Sequence, residues 1–442
     1  MSDTLNSGQD VVVCGGGPAG FAAALAAARQ GAKVLLLERL SQVGGMATSG
    51  MVSHWLGGRS GDTKRWVVNG IFRECAKEAA QQGIAVLPRA DAFADDKYTP
   101  YGQHKGLLAG IPFDPFLMTP FLEKKLVDAG VEILYGVHVV DTIRSDNSIR
   151  AVIGASKDGL VEYEAGAFVD CTADGDVSAA AGCPFDKGDD TGWCMGSSII
   201  LQLENVDEPA LMAYVHDEDD PRMRKALAAM KTDGYPFDQH QILVFVRMTR
   251  PGAFMLNGIY YGDVDATKTE SRTHALLTLH AGIPKVVQCL RKHVPGCANM
   301  TLRAYAHDLG TRETRRILGE YRLTVEDVQS GMTFTDTIGH SAYGWDLANR
   351  NGSQAMHGRK PETIPIPYGI LVPQGIDNLI CAGRCVSVER QVLGPLRVMA
   401  PIMAMGEAAG VAAAQVAKAG MPFRDVDVAV VRSCLKLDAS EA

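Results

Sequence analysis

The chain of 442 residues holds ten cysteines but no CxxC pair, no paired zinc spacing and no CxxxxC near its glycine-rich start. That excludes a disulfide reductase and a structural zinc module, and no metal site is expected; Cys381 and Cys385, four apart, read as packing thiols in a reduced protein. No lysine and arginine cluster appears, and 43 basic against 51 acidic residues give a net charge of −8, which argues against a nucleic-acid partner or an anionic membrane. The apolar stretch from Val11 to Ala28 is broken by Gly and Pro and is too short to span a bilayer. The first nine residues are polar with no basic start and apolar stretch, so the expectation is a cytoplasmic protein without a secretory leader. Repeats and low-complexity segments are missing too. What remains, 46% apolar and 21% charged residues, is ordinary for a globular chain, and the length suggests two or three domains.

Residues Asp10 to Glu38 read as strand, glycine turn, helix and second strand ending in an acid. Val11, Val12 and Val13 are a β-branched run, and the chain then turns through Gly15, Gly16 and Gly17 into an Ala-rich helix opened by Pro18. Gly15 permits the tight turn, Gly17 lets backbone approach a pyrophosphate, and Gly20 lets helix pack on strand. Glu38 then stands where a carboxylate meets a ribose hydroxyl and disfavours a 2′-phosphate. The unit binds a dinucleotide, with FAD and NAD both open at this point.

Val43 to Gly50, VGGMATSG, is a second glycine-rich loop suited to the close approach of a large flat ring. A helix is predicted over Asn69–Gln82 and another over Pro120–Ala129, with Ser53 to Gly110 otherwise irregular. Val131–Tyr135 and Val137–Ile143 read as extended, Ile149–Lys157 and Leu160–Glu164 as a small antiparallel meander, and Ala167–Cys171 as a separate short strand ending at Thr172-Ala173-Asp174. Thr191 to Phe334 mixes strands and helices without a second GxGxxG. From Leu371 the α/β pattern returns, with Asn378–Arg384 as strand and turn and Leu396–Ala419 as one long helix.

The fingerprint, the GGMATSG loop, the stretch GTRETRRILGEYRLT over 310–324 and the terminal NLICAGR, GPLRVMAP and GEAAG block together resemble the FAD-dependent oxidoreductase family, related at fold level to fumarate reductase flavoproteins and thiazole synthases. The resemblance implies an α/β architecture, a Rossmann-like FAD-binding domain in a bipartite, glutathione-reductase-like arrangement: 1–190 and 335–442 would form it, and 191–334 an inserted α+β substrate domain. It further implies that Gly15, Gly17, Pro18, Ala19 and Gly20 face the pyrophosphate, Glu38 and Arg39 the adenosine ribose, and Val139 the adenine through its backbone. Gly45, Met46, Ala47 and Thr48 would lie along the ribityl chain and isoalloxazine, with Thr172, Ala173, Asp174, Gly383 and Arg384 also at the cofactor. Leu396, Arg397 and Val398 would start a helix aimed at the flavin. Arg384 departs from the Asp that many flavoproteins carry there. No histidine stands beside Gly45, so the FAD is expected to be noncovalent, with His54 as the sole alternative attachment point nearby.

Chemistry needs a group that moves a proton and groups that hold the substrate. His54, four residues beyond the flavin loop, is a candidate acid/base. Arg312, Arg315 and Arg316 crowd three guanidinium groups into five residues. As a strand, the segment would put Arg315 with apolar Ile317, Tyr321 and Leu323 and turn it inward, opposite Arg312, Thr314 and Arg316. Arg312 and Arg315 are therefore candidate substrate binders for a carboxylate, or alternatively a ladder fixing the inserted part to the rest. The leading expectation is hydride transfer between a small polar, acid-bearing substrate and FAD, with no NAD(P)H domain. A thiazole-synthase-like enzyme that consumes its dinucleotide and a non-enzymatic escort protein are the alternatives. The Ala/Met-rich terminal helix suits packing on the sheet or a homo-oligomer contact.

Overall fold

The computed structural model describes residues 8–437 apart from 238, 240 and 348–361; the first seven residues of the polar start lie outside this range. Strand β1 (Gln9–Cys14), helix α1 (Pro18–Arg29) and β2 (Val34–Glu38) form where the valine run, the glycine turn and the Leu-rich run predict them. Both strands are buried on both faces, as the uninterrupted apolar runs require, and pair in parallel from Val11↔Val34 to Cys14↔Leu37. The seven-stranded sheet runs Glu132–Tyr135, β2, β1, Gly159–Asp170, Ser148–Ser156, His138–Ser145, with Leu379–Cys381 added in parallel on Gly159–Asp170.

The meander strand Leu160–Glu164 and the strand Ala167–Cys171 are in fact one, Gly159–Asp170. Its outer half, 159–164, pairs antiparallel with Ser148–Ser156, and its inner half, 165–170, pairs in parallel with β1. Ala165 and Gly166 carry no turn chemistry that would break the run, so the chain passes straight through. The helix expected from Pro120 begins earlier, at Pro115, where Asp114 accepts a hydrogen bond from the Phe116 N–H and proline fills the first turn.

The terminal helix is two helices, Arg390–Leu396 and Met399–Ala419, with Val398 extended between them. Pro401 explains the break. Continuous helix would leave the Arg397 carbonyl without its donor and drive the proline ring into it. Arg397 thus ends the short helix and does not lie in the first turn of the long one. Met399–Ala419 packs directly on α1: a Cβ on Gly406 would stand 2.1 Å from the Ala19 carbonyl oxygen, and one on Gly410 2.1 Å from that of Ala23. Among the described residues it is the one helix long and apolar enough to cross a membrane, and 78% of its most apolar window is buried inside the protein.

A second sheet, Val244–Arg247, Phe254–Tyr261, Ser197–Glu204, Thr301–Tyr305, is antiparallel and backed by the long helix Thr269–His293, with its own apolar core. It is tied to the loop after β2 where the Ser49 carbonyl accepts from the His307 and Asp308 N–H groups at 2.9 and 3.2 Å.

Glu407 on the long helix accepts from the Ile71 N–H at 2.9 Å, and burial pushes its carboxyl up from 4.5 to about 7. The native state therefore holds a proton that the unfolded chain has lost between about pH 4.5 and 7, and stability falls as pH rises through that window. Glu407→Gln should abolish this component, worth up to about 3 kcal/mol. A difference in melting temperature between native and variant that stays flat from pH 4.5 to 7 would refute it.

Candidate functional site

Five backbone segments converge at the carboxyl edge of the parallel sheet. Gly15 turns with φ +101°, and a Cβ there would lie 2.4 Å from the Cys171 carbonyl oxygen. A Cβ on Gly20 would lie 1.7 Å from the Gly15 carbonyl oxygen, so that helix and turn can meet only as glycines, whereas a Cβ on Gly17 would meet nothing within 4 Å. Gly17 is the N-cap of α1 and no side chain caps that helix, which leaves its first N–H groups, Ala19 and Gly20 after Pro18, to face a ligand. The second loop lies on the first: Gly44 N–H donates to the Gly16 carbonyl at 2.7 Å, and a Cβ on Gly45 would be 2.9 Å from Gly17 Cα. Gly45–Ala47 forms a single turn of 3₁₀ helix, Met46 packs against Gly50, and Thr48 closes the loop by donating to the Val43 carbonyl at 2.7 Å.

Glu38 is buried, with one carboxylate oxygen accepting from Gly16 N–H at 2.6 Å and the other from Leu40 N–H at 2.7 Å. It braces the glycine turn and keeps a further lone pair on each oxygen. Val139 lies on the strand that enters beside it, where Val137 N–H donates to the Glu38 carbonyl at 3.1 Å. Arg39 pairs with Asp308, which also holds Arg272.

The third turn is built on Asp170, a residue that no sequence motif marks. Fully buried, it accepts from the N–H and hydroxyl of both Thr172 and Ser178 at 2.7–3.1 Å, and Ala173 takes φ +67°. Asp174 pairs with Arg384 and accepts from the Thr314 hydroxyl at 2.8 Å. Burial opposes its charge, yet Arg384 and Thr314 hold it below the usual carboxylate range. That pairing is the role of the unexpected Arg384. Gly383, at φ +127°, looks toward Ala19, where a Cβ added to the glycine would stand 3.9 Å from the Ala19 methyl.

The Arg315 side chain bonds the Asp174 carbonyl at 3.0 Å and the Asp176 carboxylate at 2.8 Å, and lies 5.4 Å over the Phe185 ring. The expected inward turn belongs instead to Arg316, whose side chain is 5% exposed against 18% for Arg315. The reason is Glu313. Its side chain is fully buried and accepts from Arg316 at 2.8 Å, from Arg390 twice at 2.8 Å and from Met195 N–H at 2.8 Å. The observed strand here is only Arg315–Ile317, paired with Phe185–Lys187, too short to carry the two-faced pattern through Leu323.

Arg312 stands apart from these ladders. It stacks 5.4 Å over Tyr260 and donates to the Gly196 carbonyl at 3.1 Å, with no carboxylate partner among the described residues. Burial first, then the neighbouring charge of Arg397, lower its pKa, and it feels Tyr343 and Asp346. Asp346 accepts from Arg397 and from the Tyr343 hydroxyl, both at 3.1 Å. Arg222 faces the same pair, is likewise lowered by burial, and also lacks a carboxylate among the described residues. This cluster borders the break before the long helix: a Cβ on Gly57 would touch Val398, Tyr343 and Pro401 at 3.0–3.3 Å, and no side chain caps Met399–Ala419. Arg222, Tyr260 and Asp346 are not legible in the sequence, because nothing in their local surroundings along the chain marks a site.

His54 lies in a two-residue strand, 3% exposed, with Nε2 unpartnered and a Gly110 Cβ position only 1.9 Å away. Burial, then the charge of Arg59, lower its pKa to about 3, so the imidazole stays neutral at ordinary pH.

The family model for FAD dependent oxidoreductases matches residues 10–435. The chain belongs to the FAD-dependent oxidoreductase family. It is an enzyme that uses FAD, and the crevice fits the group: an uncapped helix end and a side-chain-free turn for the pyrophosphate, and a buried acid at the end of β2. Thiamine thiazole synthase from Archaeoglobus fulgidus is 30% identical over 141 residues, 32% of this chain and 42% of that protein. The enzyme from Sulfolobus acidocaldarius is 29% identical over 178 residues, 38% and 53%. The chain thus spans about half the length of these relatives. Among solved structures, p-nitrophenol 4-monooxygenase from Pseudomonas putida gives a TM-score of 0.49 at 13% identity, covering 97% of this chain and 83% of that one. L-proline dehydrogenase from P. horikoshii gives 0.46 at 12%, covering 96% of each.

Glu313→Leu would leave Arg316 and Arg390 buried without their counter-charge and should lower stability by about 3–5 kcal/mol. Denaturant unfolding measures this, and a loss under about 1 kcal/mol would show the cluster to be no more than a surface pair.

Proposed function

We propose that this oxidoreductase passes a hydride between noncovalently held FAD and a small polar substrate bearing a carboxylate. The observation that carries the reading is the presence beside Tyr343 of two half-buried guanidinium groups, Arg222 and Arg312, with no carboxylate paired to either among the described residues. Desolvating a charge is unfavourable unless something pairs it, and a planar fork pairs best with a carboxylate. FAD supplies the two-electron step when bound.

The chain's own groups do the rest. Arg312 is oriented by the Tyr260 ring and the Gly196 carbonyl, so its remaining N–H donors can anchor the acid. Arg397 is held by Asp346 and borders the start of the long helix, whose uncapped N-terminus favours negative charge beside it. Tyr343, its pKa pushed up by burial and by Asp346, keeps its proton and can lend it or hold it at the substrate, with Asp346 to stabilise the exchange. The neutral, enclosed His54 supports a packing role under the 99–110 loop. The net charge of −8 supports a small-molecule substrate over a nucleic acid, and the reading carries a cytoplasmic location with it.

Acid precipitation of the purified yellow protein should leave the flavin in the supernatant as FAD. In the FAD-loaded protein, Arg312→Gln should weaken carboxylate-induced shifts of the flavin spectrum by about 10–100-fold, the loss of one charged hydrogen bond. Unchanged affinity in both Arg312→Gln and Arg222→Gln would sink the carboxylate reading, and a colourless protein that takes up no FAD would sink the whole.

A further inference from the structure

The crevice at the edge of the parallel sheet has one wall that the dinucleotide-binding segments do not supply. It comes from the second sheet, in the stretch that follows Thr301–Tyr305. There the His307 and Asp308 N–H groups close on the Ser49 carbonyl at 2.9 and 3.2 Å, and Ser49 belongs to the glycine loop that lies on Gly17. The Ser49 hydroxyl accepts from the Gln42 amide at 2.8 Å, so the loop is held from both sides.

Asp308 is 5% exposed and takes three donors: the Leu309 N–H at 2.8 Å, the Arg39 guanidinium and the Arg272 guanidinium. Arg39 follows Glu38, the acid that braces the first glycine turn, and Arg272 comes from the first turn of the helix Thr269–His293 that backs the second sheet. The third turn is within reach as well. Burial opposes the charge of Asp174, and Arg272 joins Arg384 and the Thr314 hydroxyl in favouring it. One buried carboxylate thus stands among all three loops of the crevice: its backbone bonds the second, and its two arginines reach the end of β2 and the third turn.

The charges do not suit a mere strut between the sheets. A strut needs one cation for one carboxylate, and here two guanidinium groups share one, which leaves a unit of positive charge in the crevice that also holds the uncapped N-terminus of α1. Each arginine commits a single nitrogen to Asp308, and its other guanidinium nitrogens bond nothing among the described residues. The Arg39 side chain is also 41% exposed, and a pair with so wet a member contributes little to stability. We propose that Asp308 positions Arg39 and Arg272 as a clasp on the diphosphate and adenosine half of FAD, so that the second sheet, which carries no dinucleotide motif, helps to hold the cofactor. A diphosphate brings the negative charge that an uncompensated guanidinium pair and a bare helix end attract. The inference rests on the family's cofactor and is independent of the carboxylate reading.

The test follows flavin release from full-length, FAD-loaded protein on dilution, read as rising flavin fluorescence at about 0.05 M and about 0.5 M salt. Native protein should release FAD at least about threefold faster at the higher salt, because screening weakens the clasp. Arg272→Gln should speed release about tenfold at low salt, the loss of one charged hydrogen bond, and should flatten the salt dependence. Asp308→Asn is the sharper arm. It adds net positive charge, which alone would slow release, whereas lost positioning speeds it by about the same tenfold, and Asp308→Glu should return the rate to within about threefold of native. Native release that ignores salt, or no release at all, overturns the clasp, and so does an unchanged rate in Arg272→Gln. A rate in Asp308→Asn that is unchanged or slower overturns the positioning role, and a lower melting temperature would then mark Asp308 as a strut. If Asp308→Asn does not fold, Arg272→Gln, on a part-exposed side chain, decides alone.

Discussion

The crevice exists because several backbones approach to distances that no side chain would permit. Gly20 against Gly15, Gly15 against Cys171, Gly406 against Ala19 and Gly410 against Ala23 are all contacts in which a Cβ would fall within 2.4 Å of a carbonyl oxygen. Together they clamp the first helix between its own turn and the terminal helix. The orientation of two uncapped helix ends, and so the sign of the potential where the cofactor's charge lies, follows from that clamp.

Around this frame the charged groups fall into two kinds. Asp170 and Glu313, fully buried, and Asp174, half-buried, are paired or fully bonded and lock turns together; they are worth more to geometry than to net stability. Arg222 and Arg312 are the reverse, half-buried cations with no carboxylate paired to them among the described residues, and the proposed substrate acid would supply the missing charge. An active site is where such imbalance is expected to persist.

The dinucleotide unit is readable from residues because its requirements are local: a β-branched run, glycines at fixed offsets and an acid after the next strand. The parallel sheet and the second glycine loop follow in the same way. The substrate side is not readable for the opposite reason. Arg222, Tyr260 and Asp346 are brought together from three distant segments, and none is marked by a motif. Where helix and strand ends depart from those the pattern predicts, a proline sets the boundary, as at Pro401 and Pro115, or a strand runs on through a glycine, as at Gly166. Periodicity alone turns Arg315 inward, and the buried Glu313 reverses it in favour of Arg316.

The Gly159–Asp170 strand, with antiparallel company on one half and parallel company on the other, also sets an order in time. Its inner half is closed on one side by β1, made among the first residues, and on the other by Leu379–Cys381, made among the last. During synthesis this strand keeps that second edge open while the whole second sheet is being produced. The terminal helix that seats on Ala19 and Ala23 comes later still. Closure of this edge, and of the crevice built on it, therefore waits for residues beyond the second sheet.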